Sequence, residues 1–132
     1  MFWADQFAED RVSLLALEGR LSGSDLMNLA DRLRGLAAQG VVETVVDLRE
    51  VEHWDFRGLS GLAEAVRFRR RHGATTAFIT PDPYLRDIAA AAGVDEVFDF
   101  FDDLKLTEPK RSFTLIEPPR NAEQDTPKTA TL

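Results

Sequence analysis

Apolar residues along the chain fall in short dense runs, separated by stretches where they recur every three or four positions. Residues 12–17 (Val-Ser-Leu-Leu-Ala-Leu), followed by Gly19, predict a strand buried on both faces. Residues 2–7 (Phe-Trp-Ala-Asp-Gln-Phe) predict a weaker strand beside it, with Glu9 and Asp10 in the hairpin loop, where acidic residues are common. The period then changes. Leu26, Leu29, Ala30, Leu33, Leu36 and Ala37 form one helical stripe, which Ser22 or Ser24 can cap and Gly40 can end. Residues 43–48 (Glu-Thr-Val-Val-Asp-Leu) predict a second buried strand. A second helix is expected from near Asp55 to Gly73, with Leu59, Leu62, Ala63 and Val66 on one face. Residues 75–80 predict a third strand. Asp82 and Pro83 then open a helix whose apolar face is Leu85, Ile88, Ala89 and Ala92 and whose end is Gly93. Val97–Phe100 fits a short last strand. Strand and helix alternate three times, the pattern of right-handed crossovers and a largely parallel sheet, so the fold class is α/β.

From Thr107 the composition changes. Pro109, Pro118, Pro119 and Pro127 stand among Lys, Glu, Thr and Asn, which predicts one domain over residues 1–106 and a Pro-containing tail over 107–132. Within the tail, Ser112–Glu117 (Ser-Phe-Thr-Leu-Ile-Glu) is apolar enough to dock as an extra strand, on the sheet edge or on a neighbouring chain. The total of 132 residues suits one domain plus such a tail. No apolar run approaches the ~20 residues that span a bilayer, and Met1–Asp5 do not begin a secretory signal. A cytoplasmic protein without direct membrane insertion is therefore expected, in keeping with the lack of cysteine.

Charge argues against nucleic acid as a partner. Residues 1–104 hold 11 Lys/Arg against 19 Asp/Glu, whereas nucleic-acid binders normally present a basic face. The one basic cluster, Arg67, Arg69, Arg70 and Arg71, reads as a solvated last helical turn, where cations suit the negative helix end.

Few residues suggest chemistry. The common phosphate-binding glycine patterns and the nucleophile elbow are absent. His53 and Asp55 could offer two metal ligands, but a site usually needs three or four, and a loop histidine beside a capping aspartate accounts for them better. Trp3 and Trp54 read as packing residues. No general acid/base pair stands out, and no cofactor is implied. The informative stretch is residues 45–62, where a buried strand gives way to Asp55-Phe56-Arg57-Gly58 at a helix start. Free N–H groups there can hold an anion, and a side chain just after Asp55 would stand exposed beside them. The same residues fit a plain aspartate cap followed by a glycine that allows close packing. The residues alone leave both readings open.

In order and spacing, the chain resembles the STAS domain family, named for sulfate transporters and anti-sigma factor antagonists. The resemblance covers roughly residues 5–104. It is carried by Leu17-Glu18-Gly19-Arg20-Leu21, Val45-Val46-Asp47-Leu48, Asp55-Phe56-Arg57-Gly58-Leu59, and Ala92-Gly93-Val94 with Val97-Phe98. It implies a mixed, largely parallel sheet with helices stacked on one side, no catalysis, and a protein partner such as an anti-sigma factor or serine kinase. In the family, that kinase phosphorylates a Ser or Thr directly after the motif's Asp. Here Phe56 holds that position and has no hydroxyl, and Ser60 lies too far along to replace it. The expectation is a partner-switching module without the phosphosite, docking through Asp55, Phe56, Arg57 and Gly58. Phe56 is then either an exposed anchor or folded back onto the core. The alternatives are an accessory subunit of a lipid-transport complex, a transporter regulatory module and, with less support, a nucleotide binder.

Overall fold

The computed structural model describes residues 2–8, 12–107, 112–116 and 128–131, with side-chain surroundings for 12–103, 115 and 116. Strands β1 (Phe2–Ala8), β2 (Val12–Leu21), β3 (Glu43–Trp54), β4 (Thr75–Ile79) and β5 (Asp99–Phe101) form one sheet in that order. β1 runs antiparallel to β2, and β2 to β5 are parallel. The expected turn at Glu9-Asp10, the Trp3 side chain and Glu117 lie outside the described residues.

Helices α1 (Gly23–Ala38), α2 (Leu59–Arg71) and α3 (Pro83–Ala91) bury their apolar stripes together on one face of this sheet. They meet Leu15, Leu17, Val46, Leu48 and Phe78 there. The fold is thus a mixed α/β sheet with the helices on one side. Ser22 caps α1 through a reciprocal box with Asp25, and Asp82 caps α3 ahead of Pro83.

The opposite face of the sheet offers Leu14, Val45, Ile79 and Phe101. A second, antiparallel sheet in the order β6 (Asp103–Thr107), β7 (Ser112–Ile116) and β8 (Lys128–Thr131) brings Leu115 onto that apolar patch. Ser112–Ile116 therefore pairs within its own sheet, and its Leu115 meets the face of the larger one, not its edge.

Three local features differ from the sequence expectations. β2 continues through Gly19, whose φ of 82° only glycine adopts readily, and β3 continues to Trp54. Ala16 pairs with Asp47 but Glu18 with Glu50, and Gly19 pairs with Val51 but Arg20 with His53, so β3 gains one residue over β2 in each interval. These bulges turn Leu48, Val51 and Trp54, three residues apart, toward the same core. Next, Val97 closes a short 3-10 turn over Asp95–Val97, with Val97 N–H donating to Val94 O at 3.0 Å, so the last strand starts only at Asp99.

The third difference is the arginine cluster. Arg69 is fully buried, not solvated. It lies three residues past Val66 on the helix face that already carries Leu62, so the period of α2 turns it inward. Its Nε donates to Thr76 Oγ1 at 2.8 Å, and its two terminal nitrogens donate to Leu33 O at 3.1 Å and to Thr44 Oγ1 at 2.8 Å and Thr75 O at 2.9 Å. Burial lowers its pKa to about 10. Arg67, Arg70 and Arg71 stay at the surface to different degrees, Arg67 beside Glu64 and Arg70 donating to Val97 O at 3.2 Å.

Candidate functional site

The strand β3 delivers the Asp55–Gly58 segment to the end of the sheet where the parallel strands finish. Trp54 fixes the exit. It is buried against Phe78, Phe98 and Phe100, and its indole N–H donates to Leu85 O at 2.9 Å. Asp55 N–H donates to Leu21 O at 2.9 Å, which sets the turn beside the start of α1. The next three residues do not yet belong to α2. Gly58 N–H donates to Asp55 O at 3.0 Å, and Phe56–Gly58 form a 3-10 turn with α2 beginning at Leu59. The helix expected from Asp55 is thus preceded by one tighter turn, which Asp55 caps.

The Asp55 carboxylate accepts from Arg57 N–H at 2.9 Å and meets the Arg57 guanidinium at 3.3 Å. These contacts, the backbone N–H first, hold its carboxyl below the usual range. Arg57 is otherwise in solvent, its side chain 86% exposed. Phe56 is 50% exposed and does not fold back onto the core. Gly58 faces the other way, into α1. A methyl group there would sit 2.9 Å from Leu26 Cδ1, 3.1 Å from Leu26 Cβ and 3.3 Å from Gly23 Cα. The four residues thus share one turn but have different surroundings. Asp55 and Gly58 fix the turn, and Phe56 and Arg57 project from it.

Beside the turn, α1 and α2 enclose an open groove of about 660 Å³. Met27, Ala30 and Arg34 line it from α1, and Arg57, Gly58, Ser60 and Gly61 line it from the turn and α2. The sequence reading missed this groove. Met27, 65% exposed, lies one position outside the α1 stripe, and only the packing of two helices reveals the space between them. On the other side of the turn, His53 Nδ1 lies 2.7 Å from the Tyr84 hydroxyl. His72 is at the far end of α2, where its Nδ1 lies 2.8 Å from Phe68 O. Among the described residues no group of three His, Asp or Glu side chains is placed to hold a metal ion, and no helix is long and apolar enough to cross a membrane.

The chain belongs to the STAS domain family: the family profile described as "Mlab, STAS domain" matches residues 5–106. No curated protein sequence matches it. Solved structures share the fold. The Thermotoga maritima protein TM1081 superposes with a TM-score of 0.64 at 15% identity, over 76% of this chain and 86% of that one. An anti-sigma factor antagonist from Mycobacterium paratuberculosis gives 0.62 at 20% identity, over 77% and 86%. The Bacillus anti-sigma factor antagonist SpoIIAA, in its unphosphorylated form, gives 0.60 at 14% identity, over 77% and 89%. Family and fold together support a protein-interaction module, a class that is generally non-enzymatic.

Proposed function

We propose that this chain is a non-enzymatic partner-switching module of the anti-sigma factor antagonist type that has lost the phosphorylatable residue, and that it works in the cytoplasm. The partner is an anti-sigma factor or serine kinase, and it docks on Asp55, Phe56, Arg57 and Gly58. The observation that carries this reading is Phe56, half exposed on a rigidly capped turn. An aromatic side chain held in water at a fixed place is a ready anchor, and aromatics and arginine dominate binding energy at interfaces. The neighbouring Arg57 suits that role. SpoIIAA is known in a phosphorylated form; Phe56 offers no hydroxyl for such a switch, so binding here is constitutive or controlled from the partner's side.

The test starts from affinity capture in the native cell, followed by titration of the purified partner. Phe56→Ala is expected to weaken binding by about 2 kcal/mol or more, with thermal stability falling by less than the ~3–5 kcal/mol of a core phenylalanine. Phe56→Asp should bind worse still, because it places a negative charge where phosphorylation would. A partner that tolerates Phe56→Asp rules out docking through this turn. Capture of a permease or ATPase subunit in place of a sigma regulator would move the function to the accessory-subunit alternative.

A further inference from the structure

The two sheets are joined by a single residue. β5 ends at Phe101 and β6 begins at Asp103, so Asp102 alone carries the chain from one sheet to the other, through a bend. Both strands hold outer positions, β5 in the order β1-β2-β3-β4-β5 and β6 in the order β6-β7-β8. The second sheet can therefore swing away as a unit, without drawing a strand out from between two others. Its β7 and β8 lie beyond the residues matched to the family, so most of this sheet is an addition to the STAS domain.

The second sheet brings a compact set of contacts to the large one. Leu115 packs with Leu14, Val45, Ile79 and Phe101, and Asp103 meets Arg49 at 2.7 Å. None of these contacts depends on which copy of the chain supplies the second sheet, because a second molecule offers the same Leu115 and the same Asp103. The joint itself is anchored on the large-sheet side. Phe101 O accepts from Thr80 N–H at 2.9 Å, and Arg86 of α3 holds the Asp102 carboxylate. Beyond Asp102 the chain can move while β5 stays in place. Opening breaks the bond from Asp102 N–H to Ile116 O, and Ile116 of a second copy can restore it. With one residue to turn on, closure within one chain needs a sharp bend at Asp102. Straightened, residues 99–107 run on as one strand.

We infer that this chain forms a domain-swapped dimer, in which the β6–β8 sheet of each copy covers the apolar face of the other. Swapping exchanges identical contacts, so its main cost is the freedom lost when two chains become one particle. A short connection favours it, because such a link closes poorly on its own chain and extends readily. The exchange passes through an open state that uncovers Leu14, Val45, Ile79 and Phe101. The dimer therefore forms on refolding or long incubation, not on brief mixing, and its yield rises with concentration. The inference does not depend on the docking reading of the Asp55 turn. It adds valency to that reading, since each swapped pair carries two such turns.

The full chain has no cysteine, which makes the exchange traceable. Two variants carry one each: Arg49→Cys on the receiving sheet and Asp103→Cys on the added sheet, both at partly exposed positions. They are unfolded in urea, mixed in equal amounts, refolded at rising concentration and treated with a short bismaleimide. A dimer should appear by light scattering and grow with concentration. Half of it should be mixed pairs, cross-linked between position 49 of one chain and position 103 of the other, as peptide mass spectrometry would locate. The same variants refolded apart and mixed briefly should give no such product. The unsubstituted chain, refolded alike, should show the same dimer, which keeps the test independent of the cysteines. Inserting Gly-Ser-Gly-Ser after Asp102 lets the sheet close on its own chain. It should cut the dimer about tenfold, with the fold retained by circular dichroism. Monomer at every concentration overturns the inference. So does a dimer that lacks the cross-link between positions 49 and 103, or one that the insertion leaves undiminished.

Discussion

Arg69 is a fully buried cation at the junction of two helices and two strands. Its guanidinium reaches α1 through Leu33 O, β3 through Thr44 and β4 through Thr75 and Thr76, and all four partners are neutral. Desolvating the cation disfavours it, so the folded state holds this proton less tightly than the unfolded chain does. Protonated Arg69 therefore carries its burial cost throughout the neutral range, and stability from this group rises only as pH climbs through about 10. The fork nevertheless satisfies two hydroxyls and two carbonyls at once. Arg69→Leu keeps bulk but leaves those acceptors without their donor, at ~1–3 kcal/mol for each group that water cannot reach. A net loss of about 3 kcal/mol is expected, because relief of the buried charge offsets part of the total. Urea unfolding measures it, and a loss below about 1 kcal/mol would mean that water replaces the guanidinium. Arg69→Lys should fall between the two, since an ammonium cannot span the same four acceptors.

At the scale of elements, the Asp55 turn depends on how closely it approaches α1. Gly58 has φ −92° and ψ −7°, a conformation open to alanine, so any cost of Gly58→Ala comes from contact and not from backbone strain. The contact is with Leu26, which is fully buried and cannot swing away. Overpacking of this kind costs about 1–3 kcal/mol. Gly58→Ala should lower stability by that amount, and the double variant Gly58→Ala with Leu26→Ala should lose less than the sum of the singles. Additive losses would show that the two residues are not coupled. The same elements show what the sequence could and could not reveal. α1 and α3 were legible because their apolar period and their caps, Ser22 and Asp82, act within a few residues. The end of β3 was not, because bulges against β2 place Leu48, Val51 and Trp54 on one face at a spacing that matches no strand template. Asp55 was legible as a cap, but the 3-10 turn it caps was not, since one extra hydrogen bond from Gly58 decides it. The groove depends on two helices meeting, and residues far apart in sequence make it.

Across the whole molecule, the large sheet has two covers of different origin. The helices that cover one face come from the alternating part of the chain. The other face is met by β7, which lies beyond residues 5–106 matched to the family. Leu115, 5% exposed, is the described side chain that β7 places over Leu14, Val45, Ile79 and Phe101. Between β5 and β6, Asp102 N–H donates to Ile116 O of β7. Arg49 adds a polar tie, bonded to Asp47 on β3 and at 2.7 Å to Asp103 on β6. Removing residues 107–132 takes away β7 and β8 and returns four buried apolar side chains of the large sheet toward water. Burial of Leu115 alone contributes ~1.5–3 kcal/mol. With the uncovered patch included, the truncated chain should melt roughly 10 °C lower. The exposed strip should also bind a hydrophobic dye and favour association between copies. Leu115→Asp in the full chain isolates the packing from the loss of chain. It should reproduce most of the drop, because a carboxylate cannot be buried against leucine, valine and phenylalanine without a partner. If truncation leaves the melting temperature and the mass by light scattering unchanged, the second sheet does not hold the fold together, and the apolar face is stable without it.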